Sequence, residues 1–125
     1  MSKDFGIAGV QMHVSAAHSN VDMMKFKVEV LMSIYPWVQM VVFSELCAHG
    51  PLTQYAQEFP NRDVEVFQAL AKKYGIWILP GSMFERSEGK IFNTACVINP
   101  QGEIVGKYRK MFPFFPYEEG RKERV

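Results

Sequence analysis

Cysteine and histidine are both scarce in this chain, and their spacing does not match a metal-binding motif. Only Cys47 and Cys96 are present, which is too few for a disulfide framework. Neither cysteine has zinc-ligand spacing to His13, His18 or His49, and no glycine-rich phosphate signature occurs. We therefore expect no metal, no cofactor and a reduced, cytoplasmic protein.

An excess of charge and a long apolar run are missing as well. The net charge of +1 gives no excess of positive charge that would favour binding to nucleic acid or to an anionic membrane surface. No apolar segment approaches the ~20 residues that a membrane helix needs, and no signal-peptide cleavage site follows the N-terminal apolar run. With 48% hydrophobic residues over 125 positions, the composition is that of one soluble globular domain. The expected partners are a small molecule and another copy of a similar chain.

Short apolar runs alternate with amphipathic segments in the first part of the chain. Continuous apolar runs are typical of strands covered on both faces, whereas apolar positions three or four apart indicate helices. Asn20 is expected to cap the first helix, Pro36 to stop it and Gly75 to end the second helix. Predicted strands cover residues 5–12, 38–43 and 76–79, and predicted helices cover residues 20–35 and 63–74. Their buried positions are predicted to be Met24, Val28, Leu31 and Tyr35 in the first helix and Val64, Phe67, Leu70, Ala71 and Tyr74 in the second.

The pattern changes toward the C-terminus. Two strand-like runs, residues 91–98 and 103–108, are joined by the sequence Asn-Pro-Gln-Gly, which has the residues of a tight turn and predicts a β-hairpin. Strand, helix, strand, helix and strand followed by a hairpin indicate an α/β fold with a mixed sheet whose later strands are antiparallel.

Glu45 is the first residue that could carry chemistry. It follows the predicted strand 38–43 by two residues, and ligands of open α/β sheets bind outside the carboxyl ends of such strands. The apolar sequence beside it is expected to desolvate the carboxylate partly, which suits a general base. Position alone favours the alternative, a surface glutamate that opens a loop.

Lys110 is the second candidate, at the end of the last predicted strand. An ammonium beside the apolar run 111–117 can stabilise an oxyanion, although a solvated basic pair with Arg109 is the more common case. Cys96 lies inside a predicted strand, where cysteine is usually a small buried hydrophobe, and Cys47 has no obvious base opposite it. Chemistry alone supports an acid–base pair without a nucleophile.

Five segments in a fixed order carry a resemblance to a known family. The chain resembles the nitrilase superfamily of carbon–nitrogen hydrolases from Phe5 to Glu119, about nine-tenths of its length. The resemblance implies half of an αββα sandwich, in which two helices cover one face of a mixed sheet. The segments are FGIAGVQM, VVFSEL, AKKYGIWILPGS, FNTACVINPQGEIVGKYRK and the proline-spaced run that reaches Glu118.

The resemblance also implies roles for individual residues. Glu45 matches the family's general base, Lys110 the lysine that supports the tetrahedral intermediate, and Glu118 a second glutamate that assists the geometry. The pattern of Lys110, Pro113, Pro116 and Glu118 resembles the aliphatic amidase and formamidase branch. The implied reaction is hydrolysis of a small amide or nitrile to an acid and ammonia by a Glu-Lys-Cys mechanism.

Two features depart from the family pattern. The nucleophilic cysteine of the family stands beyond the matched lysine, and no cysteine follows Lys110. Ser44 stands where members usually carry proline. We therefore expect residues 1–125 to form a single incomplete domain that is inactive by itself and self-associates through its uncovered sheet face. The alternative is a non-catalytic half-domain that binds a homologous subunit as a regulatory or scaffold module.

Overall fold

A computed structural model describes residues 3–113. These residues form two α-helices, a short 3₁₀ turn and six strands. The elements, in chain order, are β1 (Ile7–Val10), α1 (Val21–Ile34), β2 (Met40–Phe43), the 3₁₀ turn (Thr53–Tyr55), α2 (Arg62–Tyr74), β3 (Trp77–Leu79), β4 (Ser82–Ser87), β5 (Lys90–Ile98) and β6 (Ile104–Arg109).

The six strands form one mixed sheet. β1, β2 and β3 are parallel neighbours, because the helices α1 and α2 return the chain to the same end of the sheet between them. β5 runs antiparallel to β3, β4 and β6. Since β4 and β6 both pair with Thr94 and Ala95, they lie on opposite edges of β5. The mixed sheet and the β5–β6 hairpin are therefore confirmed.

β4 was not predicted from the sequence. It pairs with β5 through a two-residue turn in which Glu88 and Gly89 have φ values of 52° and 75°. Two positive φ values are the signature of a type I′ hairpin turn. Glutamate is unusual in the first of these positions, so the local sequence indicated the turn only weakly.

Both helices pack on one face of the sheet, where their apolar side chains and those of the strands form a single core. The predicted buried positions of α2 are confirmed, with Tyr74 packed at the edge of the core. In α1 the prediction was partly wrong. Met32 is buried, whereas Tyr35 is 49% exposed because the helix has already ended at Ile34.

Asn20 occupies the N-cap position of α1, as predicted, but its side chain makes no capping hydrogen bond. Its side chain instead binds the backbone N–H and carbonyl of Ser15 at 2.9 Å each and reaches the carbonyl of Ala48 at 3.3 Å. The Ser19 hydroxyl accepts from the first helical N–H, that of Val21, at 3.2 Å. Asn20 therefore links the β1–α1 loop to the loop that follows β2. Gly75 ends α2 with a φ of 63°, as expected of a C-cap glycine.

The opposite face of the sheet carries apolar side chains that are only partly buried among the described residues. Ile7, Met40 and Trp77 form one row across the parallel strands, and Ile7 is 59% exposed. Tyr108 on β6 is exposed to the same extent. Between residues 3 and 113, no helix has the length and apolar character needed to cross a membrane.

Candidate active site

Glu45 and Lys110 meet at the carboxyl end of β2. The Lys110 Nζ lies 3.0 Å from Glu45 Oε2 although the residues are 65 positions apart in the chain. The side-chain amide of Asn93 donates to the same oxygen at 2.7 Å. One carboxylate oxygen thus receives a cation and a neutral donor from two neighbouring strands.

A β-bulge brings Lys110 to this side of the sheet. Ile98 pairs with Ile104, but Val97 pairs with Gly106, so the register shifts by one residue. Without the shift, Asn93 would stand opposite Arg109. A slip of one residue moves every side chain to the other face. With the bulge, the Lys110 N–H donates to the Asn93 carbonyl at 2.8 Å, and both side chains point toward Glu45.

The loop that carries Glu45 rests on the connection between β3 and β4. Leu46 adopts a φ of 55°, and its N–H donates to the Ser82 hydroxyl at 2.9 Å. Gly81 has a φ of 75°, and a Cβ at that position would collide with the carbonyl oxygen of Ser44. Only glycine combines this backbone conformation with so close an approach. The position of Glu45 therefore depends on the Gly81-Ser82 pair.

A second set of contacts holds the far end of the same loop. His49 Nε2 lies 2.7 Å from Asp63 Oδ2, and the Gln57 amide donates to that oxygen at 2.8 Å. The His49 ring stacks on Tyr55 with centroids 5.4 Å apart. The hydrogen bond from His49 lowers the pKa of Asp63 against the opposing effect of burial. These contacts tie the loop to the first turn of α2.

Glu45 and Lys110 border a cleft of about 290 Å³ on the sheet face opposite the helices. Its wall is mainly apolar, and Ser82 and Asn93 add polar groups. The Glu45 side chain is 55% exposed and that of Lys110 is 31% exposed. The expectation that Glu45 is partly desolvated is therefore wrong for the described residues. The apolar lining residues are Val42, Phe43, Leu79, Ala95 and Tyr108.

The chemistry available in the cleft is proton transfer and charge stabilisation. A carboxylate can take a proton from a nucleophile, and an ammonium 3.0 Å away can support a negative charge that develops nearby. Residues 3–113 contain no group of three or more His, Cys, Asp or Glu side chains placed to hold a metal ion. Glu118 lies outside the described residues, so its assisting role stays a prediction.

Both cysteines are buried in the helix-side core, with exposures of 0% for Cys47 and 4% for Cys96. Burial raises the pKa of the Cys47 thiol, although hydrogen bonding with Ser44 opposes the effect. Burial also raises the pKa of Cys96 to about 11. A nucleophilic cysteine needs an accessible thiolate, and neither thiol has that environment.

Asn93, Gly81 and Ser82 were not identified as site residues from the sequence. Each lies in a segment that resembles the family, FNTA for Asn93 and LPGS for the other two. Asparagine within an apolar strand was the available signal, because a buried amide needs hydrogen-bond partners. Asn93 is 3% exposed.

Known proteins resemble this chain along nearly its whole length. The omega-amidase NIT2 of Danio rerio is 32% identical over 119 residues, which cover 91% of this chain and 42% of the relative. A formamidase of Bacillus cereus strain Q1 is 31% identical over 131 residues, which cover 91% of this chain and 38% of the relative. The chain thus spans less than half the length of the relatives it matches.

Solved structures have the same fold. A carbon–nitrogen hydrolase from Helicobacter pylori G27 superposes on 97% of this chain and 44% of its own, with a TM-score of 0.78 and 26% identity. Nit3 of Saccharomyces cerevisiae, a member of the nitrilase superfamily, gives a TM-score of 0.80 at 22% identity over 97% of this chain and 48% of its own. The sequence profile described as carbon–nitrogen hydrolase matches residues 7–125. The chain therefore belongs to the carbon–nitrogen hydrolase family.

Proposed function

We propose that this chain is the base- and lysine-bearing part of an amidase that hydrolyses a small amide to an acid and ammonia. The observation that carries the proposal is the convergence of Lys110 and Asn93 on one oxygen of Glu45 beside a mainly apolar cleft. An amide is favoured over a nitrile because the relatives named above are an omega-amidase and a formamidase.

In the proposed reaction, Glu45 takes the proton of a cysteine thiol, and the thiolate attacks the amide carbon. Lys110 stabilises the negative charge on the former carbonyl oxygen. When the intermediate collapses, the carbon–nitrogen bond breaks and the amine leaves as ammonia with the proton held by Glu45. Glu45 then takes a proton from water, the resulting hydroxide attacks the thioester, and the acid and the thiol are released.

The thiol in this proposal comes from outside residues 1–125. Cys47 and Cys96 belong to the helix-side core, whereas Glu45 and Lys110 open onto the other face. A second layer that bears the nucleophile and packs against that face would bring the thiol to the cleft. The same layer would exclude water from Glu45 and strengthen its interaction with Lys110.

The exposed sheet face favours a second candidate function, a non-catalytic module that binds a homologous subunit. Ile7, Tyr108 and the partly buried Trp77 lie on that face, and exposed apolar patches mark interaction sites. The two functions differ in what the Glu45–Lys110 pair does. A module needs the apolar face but not the pair, whereas an amidase needs both.

A chimera tests the proposed function. Residues 1–125 replace the matching segment of the Bacillus cereus formamidase, and ammonia release from formamide and short aliphatic amides is measured. We expect Glu45→Gln and Lys110→Ala each to reduce kcat by ~10²–10³-fold, the usual scale of general-base and oxyanion contributions. Glu65→Gln and Lys25→Ala, at exposed helix positions, are the matched controls. An active chimera in which the Glu45 and Lys110 variants match the controls would support the binding-module function instead.

A further inference from the structure

A second carboxylate lies behind the Glu45–Lys110 pair, on the helix-side face of the same strands. Glu85 on β4 is 3% exposed. It accepts hydrogen bonds from the Thr94 hydroxyl at 2.7 Å and from Lys107 Nζ at 2.8 Å. Arg109 donates from Nε to one carboxylate oxygen at 2.9 Å and from Nη2 to the other at 3.0 Å. The carboxylate therefore joins β4 to both β5 and β6.

Glu85 is held in its charged form. Burial by itself would raise the pKa of Glu85, but the hydrogen bonds from Arg109, Lys107 and Thr94 outweigh it and lower the pKa to about 2. The guanidinium of Arg109 also lies 4.1 Å from the centroid of the Phe92 ring. The bidentate pairing and the ring contact together leave Arg109 little freedom.

The two carboxylates are bound by neighbouring residues in the chain. Asn93 and Lys110 donate to Glu45 on one face, while Thr94 and Arg109 donate to Glu85 on the other. This follows from the alternation of side chains along a strand. β6 pairs with β5 alone among the described strands. The bidentate contact of Arg109 with Glu85 fixes the strand end from which Lys110 extends.

We propose that Glu85, acting through Arg109, is a positioning residue that holds Lys110 within reach of Glu45. The catalytic consequence rests on the function proposed above, whereas the positioning itself is a property of residues 3–113. Buried ion pairs are weak contributors to stability because desolvation offsets their attraction. The fixed geometry of the Glu85–Arg109 pair is therefore a better guide to its role than its contribution to stability.

Two variants separate positioning from a merely stabilising ion pair. Arg109→Lys keeps the positive charge but cannot pair with both carboxylate oxygens. Lys107→Gln removes the other positive charge that contacts the same carboxylate, three residues before Lys110, and is the matched control. Glu85→Gln, which keeps the shape of the side chain, is the second test variant in case Arg109→Lys does not fold.

Hydrogen exchange in the 125-residue chain provides the first measurement, at a temperature where circular dichroism shows each variant to be folded. The reporter is the Lys110 N–H, which donates to the Asn93 carbonyl. We expect Arg109→Lys and Glu85→Gln to accelerate its exchange at least about tenfold relative to Lys107→Gln, because the strand end opens locally. Equal exchange rates in Arg109→Lys and Lys107→Gln would overturn the proposal.

Turnover of the chimera provides the second measurement. We expect Arg109→Lys to lower kcat by ~10–10²-fold with KM nearly unchanged, since a displaced catalytic group impairs the transition state more than substrate binding. A normal kcat in Arg109→Lys alongside a low kcat in Lys110→Ala would refute the positioning role and leave the proposed function intact. Faster exchange at Lys110 with no kinetic effect of Lys110→Ala would refute the proposed function instead.

Discussion

Asn93 stands directly opposite Lys110 where the β5–β6 ladder ends, and the Lys110 N–H donates to the Asn93 carbonyl at 2.8 Å. Because of this pairing, the two side chains project from the same face and reach one oxygen of Glu45. Glu45 is more than half exposed, so its position depends on these two donors and on the loop that carries it.

Asn93 is expected to matter for turnover through this contact. In the chimera, Asn93→Asp places a second carboxylate beside Glu45, replaces a donor with an acceptor and repels the charge of the proposed base. We expect kcat to fall by at least ~10-fold, a typical consequence of removing an aligned hydrogen bond to a charged group. Steady-state kinetics at neutral pH measure the effect, and circular dichroism verifies the fold. Unchanged kcat would mean that Lys110 alone orients Glu45.

Gly81 is expected to be intolerant of any side chain. Gly81→Ala combines a positive φ with a collision against the Ser44 carbonyl, and we expect a loss of ~2–4 kcal/mol in the free energy of unfolding. Gly89→Ala is the matched control, because Gly89 has the same φ of 75° with no atom within 4 Å of the added Cβ. It should cost only ~1 kcal/mol. Urea denaturation measures both, and equal losses would show that the loop yields to the added methyl group.

Acid is expected to destabilise the chain through Glu85. Its pKa is lowered from 4.5 to about 2, so the folded state holds the ionised form more strongly than the unfolded state does. The corresponding stability, on the order of 3 kcal/mol, is fully present above pH 4.5 and is lost as the pH falls toward 2. Thermal melts between these pH values should show a smaller decline in Glu85→Gln than in the unchanged chain. Parallel declines would place the acid sensitivity elsewhere.

The 125-residue protein is expected to release no ammonia from small aliphatic amides. Both of its thiols are buried, and burial raises their pKa values, so the attacking thiolate of the proposed mechanism is missing. The chimera serves as the positive control in the same assay. Ammonia release that disappears in Cys47→Ala or Cys96→Ala would identify that cysteine as the nucleophile and overturn the proposed source of the thiol.

The sheet face opposite the helices is expected to drive self-association. Light scattering at micromolar concentration should detect dimers or larger species, and a dye specific for exposed apolar surface should bind. Ile7→Lys, on that face and 59% exposed in the present chain, should weaken both signals. Phe26→Lys replaces an apolar residue of similar exposure, 57%, on the outer side of α1, and should leave them unchanged. Disruption by Phe26→Lys instead would place the contact on the helices.

Much of the fold follows from local sequence. The apolar spacing of Val64, Phe67 and Leu70 identified the buried face of α2, and Gly75 marked its end, because helix periodicity and capping depend on residues a few positions apart. The turn of the β5–β6 hairpin, before Glu103, was likewise predicted from adjacent residues. Glu45 was placed at the end of β2 because the apolar run before it is continuous and ends there. The specific roles assigned to Glu45 and Lys110 came from the family resemblance and not from these local patterns.

Only the tertiary structure decided which side chains meet. The bulge between Val97 and Ile98 sets the face on which Lys110 lies, and no local pattern reports a shift of one residue between two strands. The side chain of Asn20 binds Ser15 and Ala48 and makes no capping hydrogen bond to α1, because partners outside the helix compete with the helical N–H groups. The exposure of Glu45 likewise depends on what packs over the cleft. Periodicity records the neighbours of a residue along its own element, whereas register, long-range hydrogen bonds and solvent exposure are fixed when separate elements pack together.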